Sequence, residues 1–286
     1  MPSGKQIGGF MKQGLKDKAE EAKKEVANIA KQLADLEVKE EEKETTASLI
    51  RGVLSKLHKA GYPVAGFDMY VTSTVLPGSG LSSSAACEVL IGTTGNHLFC
   101  QDKFDAVEIA KIGQAAENEY FGKPCGLMDQ TASSVGDAVA IDFKDPANPI
   151  VRSINADLTG LGLALCIIDC GADHAALTNE YASIPEEMSK VAAHFGKKYF
   201  AKSKKKICGR SAQVRKEQET GSSQGFTFYA DDRRAAEEAD ALERKDKEAF
   251  LNLVKESGRS SWELLQNITP AAAITHQDMA VALARG

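Results

Sequence analysis

A turn rich in glycine and serine, "PGSGLSSSAA" at residues 77–86, has the composition of an anion-binding site. Glycine reaches positive φ and lets a ligand approach the main chain, so Gly78 and Gly80 would allow several backbone N–H groups to face one hollow. If a helix opens at about Ser82, its unpaired amides and the positive end of its dipole face the same hollow. The stretch therefore indicates phosphate binding, with serine hydroxyls as further donors and metal ligands.

The spacing separates this turn from two other phosphate-binding loops. A Walker loop requires Gly-Lys-Ser/Thr, and no lysine follows Gly80. A dinucleotide-binding fingerprint requires a third glycine at the position that Ser83 occupies. Spacing alone leaves a second interpretation open, in which a glycine-rich turn is followed by a serine that caps a helix.

A strand should precede the turn and a helix should follow it. The run "GFDMYVTSTVL" alternates and is rich in β-branched and aromatic residues, which predicts a strand ending before Pro77. Ahead of this run, "TTASLIRGVLSKLHKAG" predicts a helix with a threonine cap and a stop at Gly61. Further helices are predicted from about Ser82, over Phe104–Tyr120 and from near Asp129.

The runs "DAVAIDF" and "GLALCIID" predict two apolar strands, in the second of which Cys166 would be a small core residue. The turn "KDPANP" lies between them, and the rest of the chain is helical by pattern. We therefore expect a charged helical segment over 1–46, a first domain over 47–155 and a second domain over 156–286.

Charge and cysteine usage limit the partners and the compartment. The 286 residues carry a formal net charge of -5, so no global positive field attracts nucleic acid. The basic stretch 201–225 has no interleaved aromatics, which favours a surface loop over a phosphate or nucleic-acid patch. No signal peptide or long apolar span is evident, and the six cysteines lack zinc-site spacing. We expect a cytoplasmic protein with reduced thiols and no nucleic-acid or membrane partner.

The complete string from Pro77 to Ala86 closely resembles the nucleotide-binding motif of the GHMP small-molecule kinases. Within that superfamily, "ENEYFGKPCGLMDQ" resembles the galactokinase segment that carries the catalytic aspartate. The resemblance covers roughly residues 35–200 and resumes at "YADDRRAAEEADALERK". It implies an α+β, GHMP-kinase-like two-domain fold. The N-terminal domain would be ribosomal-protein-S5-like and the C-terminal domain ferredoxin-like and helix-rich.

The same resemblance implies ATP-dependent phosphorylation of galactose, or a related sugar, at the anomeric hydroxyl with Mg²⁺ as the metal. Ser84, or its neighbour Ser83, and Glu117 would hold the Mg²⁺, although an exposed helix carboxylate is the alternative for Glu117. The ATP phosphates would be bound by the residues of the turn, namely Pro77, Gly78, Ser79, Gly80, Leu81, Ser82, Ser83, Ser84, Ala85 and Ala86.

Three further residues would serve the sugar by resemblance. Asp129 would accept the proton of the anomeric hydroxyl as that oxygen attacks the γ-phosphoryl group. Its place before a predicted helix also fits an N-cap, and the two roles can coexist. Gly126 would let the chain pass close to the substrate. Tyr181 would line the galactose pocket, with a packed aromatic as the alternative.

The sequence departs from the galactokinase pattern in two places. Residues 1–46 contain nothing like the motif Arg-x-Asn-Leu-Ile-Gly-Glu-His-x-Asp-Tyr that binds galactose, and no glycine-rich motif precedes the final "VALARG". We therefore expect a fold truncated at both ends and a chain that is weakly active or inactive. Two alternatives stay open: a non-catalytic galactokinase-like regulator or remnant, and a GHMP kinase for another small alcohol or sugar.

Overall fold

The computed structural model describes residues 36–75, 80–168, 178–194, 219–269, 275 and 277–285. The chain divides into two compact units, Met1–Ser134 and Val135–Gly286. The domain boundary predicted near residue 155 stays a prediction. No helix in the described ranges is both long enough and apolar enough to cross a bilayer.

The regular elements in the described part of the first unit are helices. Their bounds are Thr46–Lys59 (α1), Ser83–Cys100 (α2), Ala106–Ala116 (α3) and Met128–Val135 (α4), with a 3-10 turn at Glu40–Glu42 and a π-helical turn at Glu117–Phe121. Helices α1, α2 and α3 pack against one another around a core that contains Val53, Leu54, Leu57, Ile91, Cys100 and Ala116. This core supports the two helix ends and the turn that carry the candidate site.

Local signals account for where these helices begin. Thr45 caps α1 by accepting a hydrogen bond from the Ser48 amide, as the sequence predicts. Asp105 caps α3 in a reciprocal capping box with Glu108. Helices α1 and α3 approach closely because Gly52 has no side chain: a Cβ there would lie 2.7 Å from the Ala116 Cβ.

The described part of the second unit contains a hairpin and four helices. Strands Ala138–Asp142 (β1) and Ile150–Ile154 (β2) pair antiparallel, with Ala138 opposite Ile154 and Asp142 opposite Ile150. The helices are Thr178–His194 (α5), Glu219–Glu243 (α6), Lys247–Ser260 (α7) and Asp278–Arg285 (α8), with a π-helical turn at Ser261–Leu265. Arg152 of β2 forms ion pairs with Asp240 and Glu243 of α6.

Two of the predicted strands are wrong. Residues 62–75, which include most of "GFDMYVTSTVL", form no strand, and Tyr70 is 70% exposed. Residues 162–168 of "GLALCIID" are also irregular, with Leu165 83% exposed and Cys166 exposed rather than in the core. A strand is stable only with hydrogen-bonded neighbours, and neither run pairs with another segment of the described chain.

Candidate functional site

The start of α2 differs from an ordinary serine-capped helix. Gly80 has φ +75°, and Ser82, at the N-cap position, is left-handed with φ 55° and ψ 53°. The Ser82 side chain makes no cap hydrogen bond to the helix amides. Its hydroxyl instead donates to Asp129 Oδ2 at 2.6 Å. Ser82 and Asp129, which are 47 residues apart in sequence, therefore meet at one place.

The helix start keeps the features of an anion site. Since the Ser82 hydroxyl is engaged with Asp129, it leaves the first-turn amides of α2 without a side-chain cap. The positive end of the helix dipole lies at the same amides, in an 18-residue helix. Such an end binds phosphate oxygens through backbone N–H groups.

One turn into α2, a serine and a glutamate lie side by side. Ser84 Oγ donates to Glu117 Oε1 at 3.1 Å, and Glu117 is only 4% exposed. The alternative of an exposed helix carboxylate for Glu117 is therefore wrong. Tyr120 fixes the π-helical turn that carries Glu117, because its hydroxyl lies 2.6 Å from Ser55 Oγ in the core.

The Ser84 and Glu117 pair suits a magnesium ion bound together with a nucleotide. Hydroxyl and carboxylate oxygens are hard donors, and Mg²⁺ is usually bound by one or two such groups with phosphate oxygens and water. No group of three or more His, Cys, Asp or Glu residues in the described part of the chain could hold a metal ion. One hydroxyl and one carboxylate are the kind of donor set that binds Mg²⁺ when phosphate oxygens and water supply the other ligands.

A buried amide joins this pair to two more side chains. Gln130 Nε2 donates to Glu117 Oε2 at 2.9 Å and to Glu88 Oε2 at 3.0 Å, and it lies 3.6 Å from Cys125 Sγ. Gln130 is 1% exposed and Glu88 is 0% exposed. Sequence reasoning missed Glu88, Gln130 and Cys125. The available signals were weak: Gln130 follows Asp129 directly, and Glu88 lies one helical turn after Ser84.

Burial changes the acidity of two of these groups. It raises the pKa of Glu88 to about 8, and the neighbouring Glu117 carboxylate adds to this rise. Burial also raises the pKa of the Cys125 thiol, with a further contribution from its hydrogen bond to Glu117. The Glu88 carboxyl is therefore largely protonated and neutral at pH 7.

The structure brings together some of the predicted residues and leaves others apart. Ser82 and Ser84 meet Asp129 and Glu117. Asp129 lies in the first turn of α4, which begins at Met128, and it does not occupy the N-cap position. A Cβ added to Gly126 would meet no atom within 4 Å, so the protein itself does not require glycine there.

The remaining predicted residues differ in their location and burial. Leu81 is exposed, Ser83 and Ala86 are half-buried on the first turn of α2, and Ala85 packs in the core. Tyr181 lies on α5, and its side chain is outside the described residues. Three residues of the turn are wholly outside them, namely Pro77, Gly78 and Ser79.

Comparison with known proteins gives consistent matches. The family described as "GHMP kinases N terminal domain" matches residues 48–137. Galactokinase of Streptomyces coelicolor is 38% identical over 145 residues, covering 51% of this chain and 37% of the relative. Galactokinase of Actinobacillus pleuropneumoniae is 33% identical over 204 residues, covering 70% of this chain and 52% of the relative. The chain thus spans about half the length of these relatives or less.

A solved structure supports the fold. The crystal structure of Lactococcus lactis galactokinase complexed with galactose matches with a TM-score of 0.65 at 20% sequence identity. The match covers 82% of this chain and 60% of that one. It confirms the expected GHMP-kinase-like fold. The chain is therefore similar to galactokinases over about half of their length, and its residues 48–137 match the N-terminal domain of the GHMP kinases.

Proposed function

We propose that this chain binds Mg²⁺-ATP at the start of α2 and transfers the γ-phosphoryl group to the anomeric hydroxyl of galactose. The hydrogen bond from Ser82 to Asp129 carries this proposal, because it holds a carboxylate beside the start of α2. The choice of sugar is supported by the sequence relatives, which are galactokinases, and by the solved structure, which contains galactose.

Phosphoryl transfer depends mainly on positioning and on stabilisation of charge. The N–H groups at the start of α2 would bind the phosphates, and Ser84 and Glu117 would hold the metal, which neutralises the charge that develops on the transferred group. Asp129 is exposed, so an acceptor hydroxyl can reach it. The Ser82 hydroxyl fixes one oxygen of the Asp129 carboxylate. As the general base, Asp129 would take the proton of the acceptor hydroxyl.

A coupled assay of ADP release with galactose and Mg²⁺-ATP tests the proposal. We expect Asp129→Asn to lower the rate by about 10²- to 10⁴-fold, because a general base contributes that much. Asp102→Asn is the matched control, since it changes an exposed aspartate of the same unit that pairs with His97. A wild-type chain that binds nucleotide without turnover, or a rate unaffected by Asp129→Asn, would contradict the proposal.

A further inference from the structure

We propose that Gln130 is a positioning residue that fixes the orientation of the Glu117 carboxylate, with Glu88 as the buried anchor of its amide group. The inference rests on the proposed function, in which Glu117 is a ligand of the nucleotide-bound Mg²⁺. It concerns the residues behind the metal site rather than the ligands themselves.

Both oxygens of Glu117 are held by hydrogen bonds. Ser84 Oγ donates to Oε1 at 3.1 Å, and Gln130 Nε2 donates to Oε2 at 2.9 Å. A carboxylate held at both oxygens has a defined plane. Ser84 is itself a proposed metal ligand and can exchange its hydroxyl hydrogen bond for the metal. Gln130 then remains as the contact that keeps the carboxylate in place.

The neighbours of Gln130 determine which way its amide points. Its Nε2 donates to two carboxyl groups, Glu88 at 3.0 Å and Glu117 at 2.9 Å. The reversed orientation would place the amide oxygen against the Glu117 carboxylate, which has no donor, and would lose that hydrogen bond. The two contacts together therefore hold the rotamer that presents an N–H group to Glu117.

The anchor is rigid because of close packing. Gly113 of α3 faces Glu88, and a Cβ at that glycine would lie 3.0 Å from the Glu88 Cβ and 3.1 Å from its Oε2. Glu88 is fully buried on α2. Gln130 therefore has a fully buried partner, with little free space around it, in addition to Glu117.

Two buried oxygens beside this contact lack hydrogen-bond partners in the described part of the chain, which destabilises the fold. Glu88 Oε1 and Gln130 Oε1 are buried and have no hydrogen-bond partner among the residues that the structure describes. Buried polar groups without partners destabilise a fold, and natural proteins concentrate such exceptions at functional sites. A leucine or methionine pair would fill this space without that cost, but it would not donate a hydrogen bond to Glu117.

Metal affinity is the property that this contact should control. Partners that orient a metal ligand typically contribute about 10- to 100-fold to metal affinity. We therefore expect Gln130→Met, which keeps the side-chain length and removes the donor, to weaken metal-dependent nucleotide binding by about 10-fold or more. Binding of the nucleotide without metal should change little, because the amides at the start of α2 remain.

Calorimetry with a non-hydrolysable ATP analogue, with and without Mg²⁺, measures both affinities on the full chain. The ratio of the two affinities is the metal-dependent factor, and it does not require turnover. Gln114→Met is the matched control, because Gln114 is a half-buried glutamine nearby whose amide donates to the Cys125 carbonyl oxygen at 3.2 Å and not to a carboxylate. It should lower stability without changing the factor.

A second pair of variants keeps the test valid if Gln130→Met folds poorly. Glu88→Gln retains an oxygen that accepts from the Gln130 amide, so the factor should match that of the wild type. Glu88→Met removes this acceptor, so the factor should fall. Circular dichroism shows whether each variant is folded.

Two results separate this inference from the proposed function. If the wild-type chain binds with a metal-dependent factor and Gln130→Met and Glu88→Met keep that factor, the positioning role of Gln130 is refuted and the site stands. If the wild-type chain shows no metal-dependent binding, the proposed function and this inference both fail.

Discussion

Replacing Glu88 with glutamine should remove one source of the loss of stability that the first unit undergoes as pH rises from 6 to 8. Glu88 is fully buried on α2, and its pKa is raised from 4.5 to about 8. Burial is the main cause, the Glu117 and Asp129 carboxylates add to it, and the Gln130 amide and Lys123 oppose it. Since the folded-state pKa lies above the unfolded value, protonated Glu88 contributes stability that is complete below pH 4.5 and is lost as pH rises through 8.

The size of this effect follows from the two pKa values. One pKa unit corresponds to about 1.36 kcal/mol, so the Glu88 contribution to the free energy of unfolding falls by roughly 2 kcal/mol between pH 6 and pH 8. Glutamine has the shape of the protonated acid and does not ionise in this range. The stability of Glu88→Gln relative to the wild type should therefore rise by roughly 2 kcal/mol between pH 6 and pH 8.

Urea unfolding at pH 6, 7 and 8, followed by circular dichroism, measures this difference. Hydrogen exchange of α2 peptides assigns it to the first unit. Glu41→Gln, which changes an exposed glutamate of the 3-10 turn, is the control and should keep the wild-type pH dependence. If the Glu88→Gln and wild-type curves stay parallel across this range, Glu88 is not a protonated buried acid and the reasoning is refuted.

Two further predictions concern Ser82 and the thiols. Both Ser82→Gly and Ser82→Ala lose the hydrogen bond to Asp129, but only glycine adopts the left-handed backbone of residue 82 without strain. Ser82→Gly should therefore be more stable than Ser82→Ala by about 1 kcal/mol in chemical unfolding. Equal stability of the two variants would contradict the strained backbone. A maleimide should modify Cys166, which is exposed, well before Cys125, whose thiol pKa is raised by burial. Mass spectrometry of the peptides measures both rates, and faster labelling of Cys125 would count against its place in the site.

The helices of the first unit could be predicted because their signals are local. The threonine cap, the spacing of apolar residues and the stop at Gly61 predict α1, and the structure places it at Thr46–Lys59. The helix expected from about Ser82 begins at Ser83, and the short helix expected near Asp129 begins at Met128. Each depends on residues within a few positions of the helix end.

The strands could not be predicted as reliably, because a strand depends on its neighbours. The β-branched run before Pro77 has the composition of a strand but no partner among the described segments. The shorter run Ile150–Ile154 was not predicted, yet it pairs with β1 across the "KDPANP" turn. Composition cannot show which segment lies beside a strand.

The candidate site was only partly predictable for a similar reason. Its motif residues, Ser82, Ser84, Glu117 and Asp129, were named from the resemblance to the GHMP kinases, and the structure brings them together in two hydrogen-bonded pairs. Gln130 supplies a contact between α2, α4 and the π-helical turn that exists only after these elements pack. No local spacing encodes such a contact.

The most direct test of the central claim is a crystal structure of the chain with Mn²⁺ in place of Mg²⁺ and a non-hydrolysable ATP analogue. We predict an anomalous peak for the metal at coordination distance from the Glu117 carboxylate and Ser84 Oγ, and phosphates against the first turn of α2 within reach of Asp129. A metal and nucleotide bound elsewhere, or absent at saturating concentrations, would contradict the account.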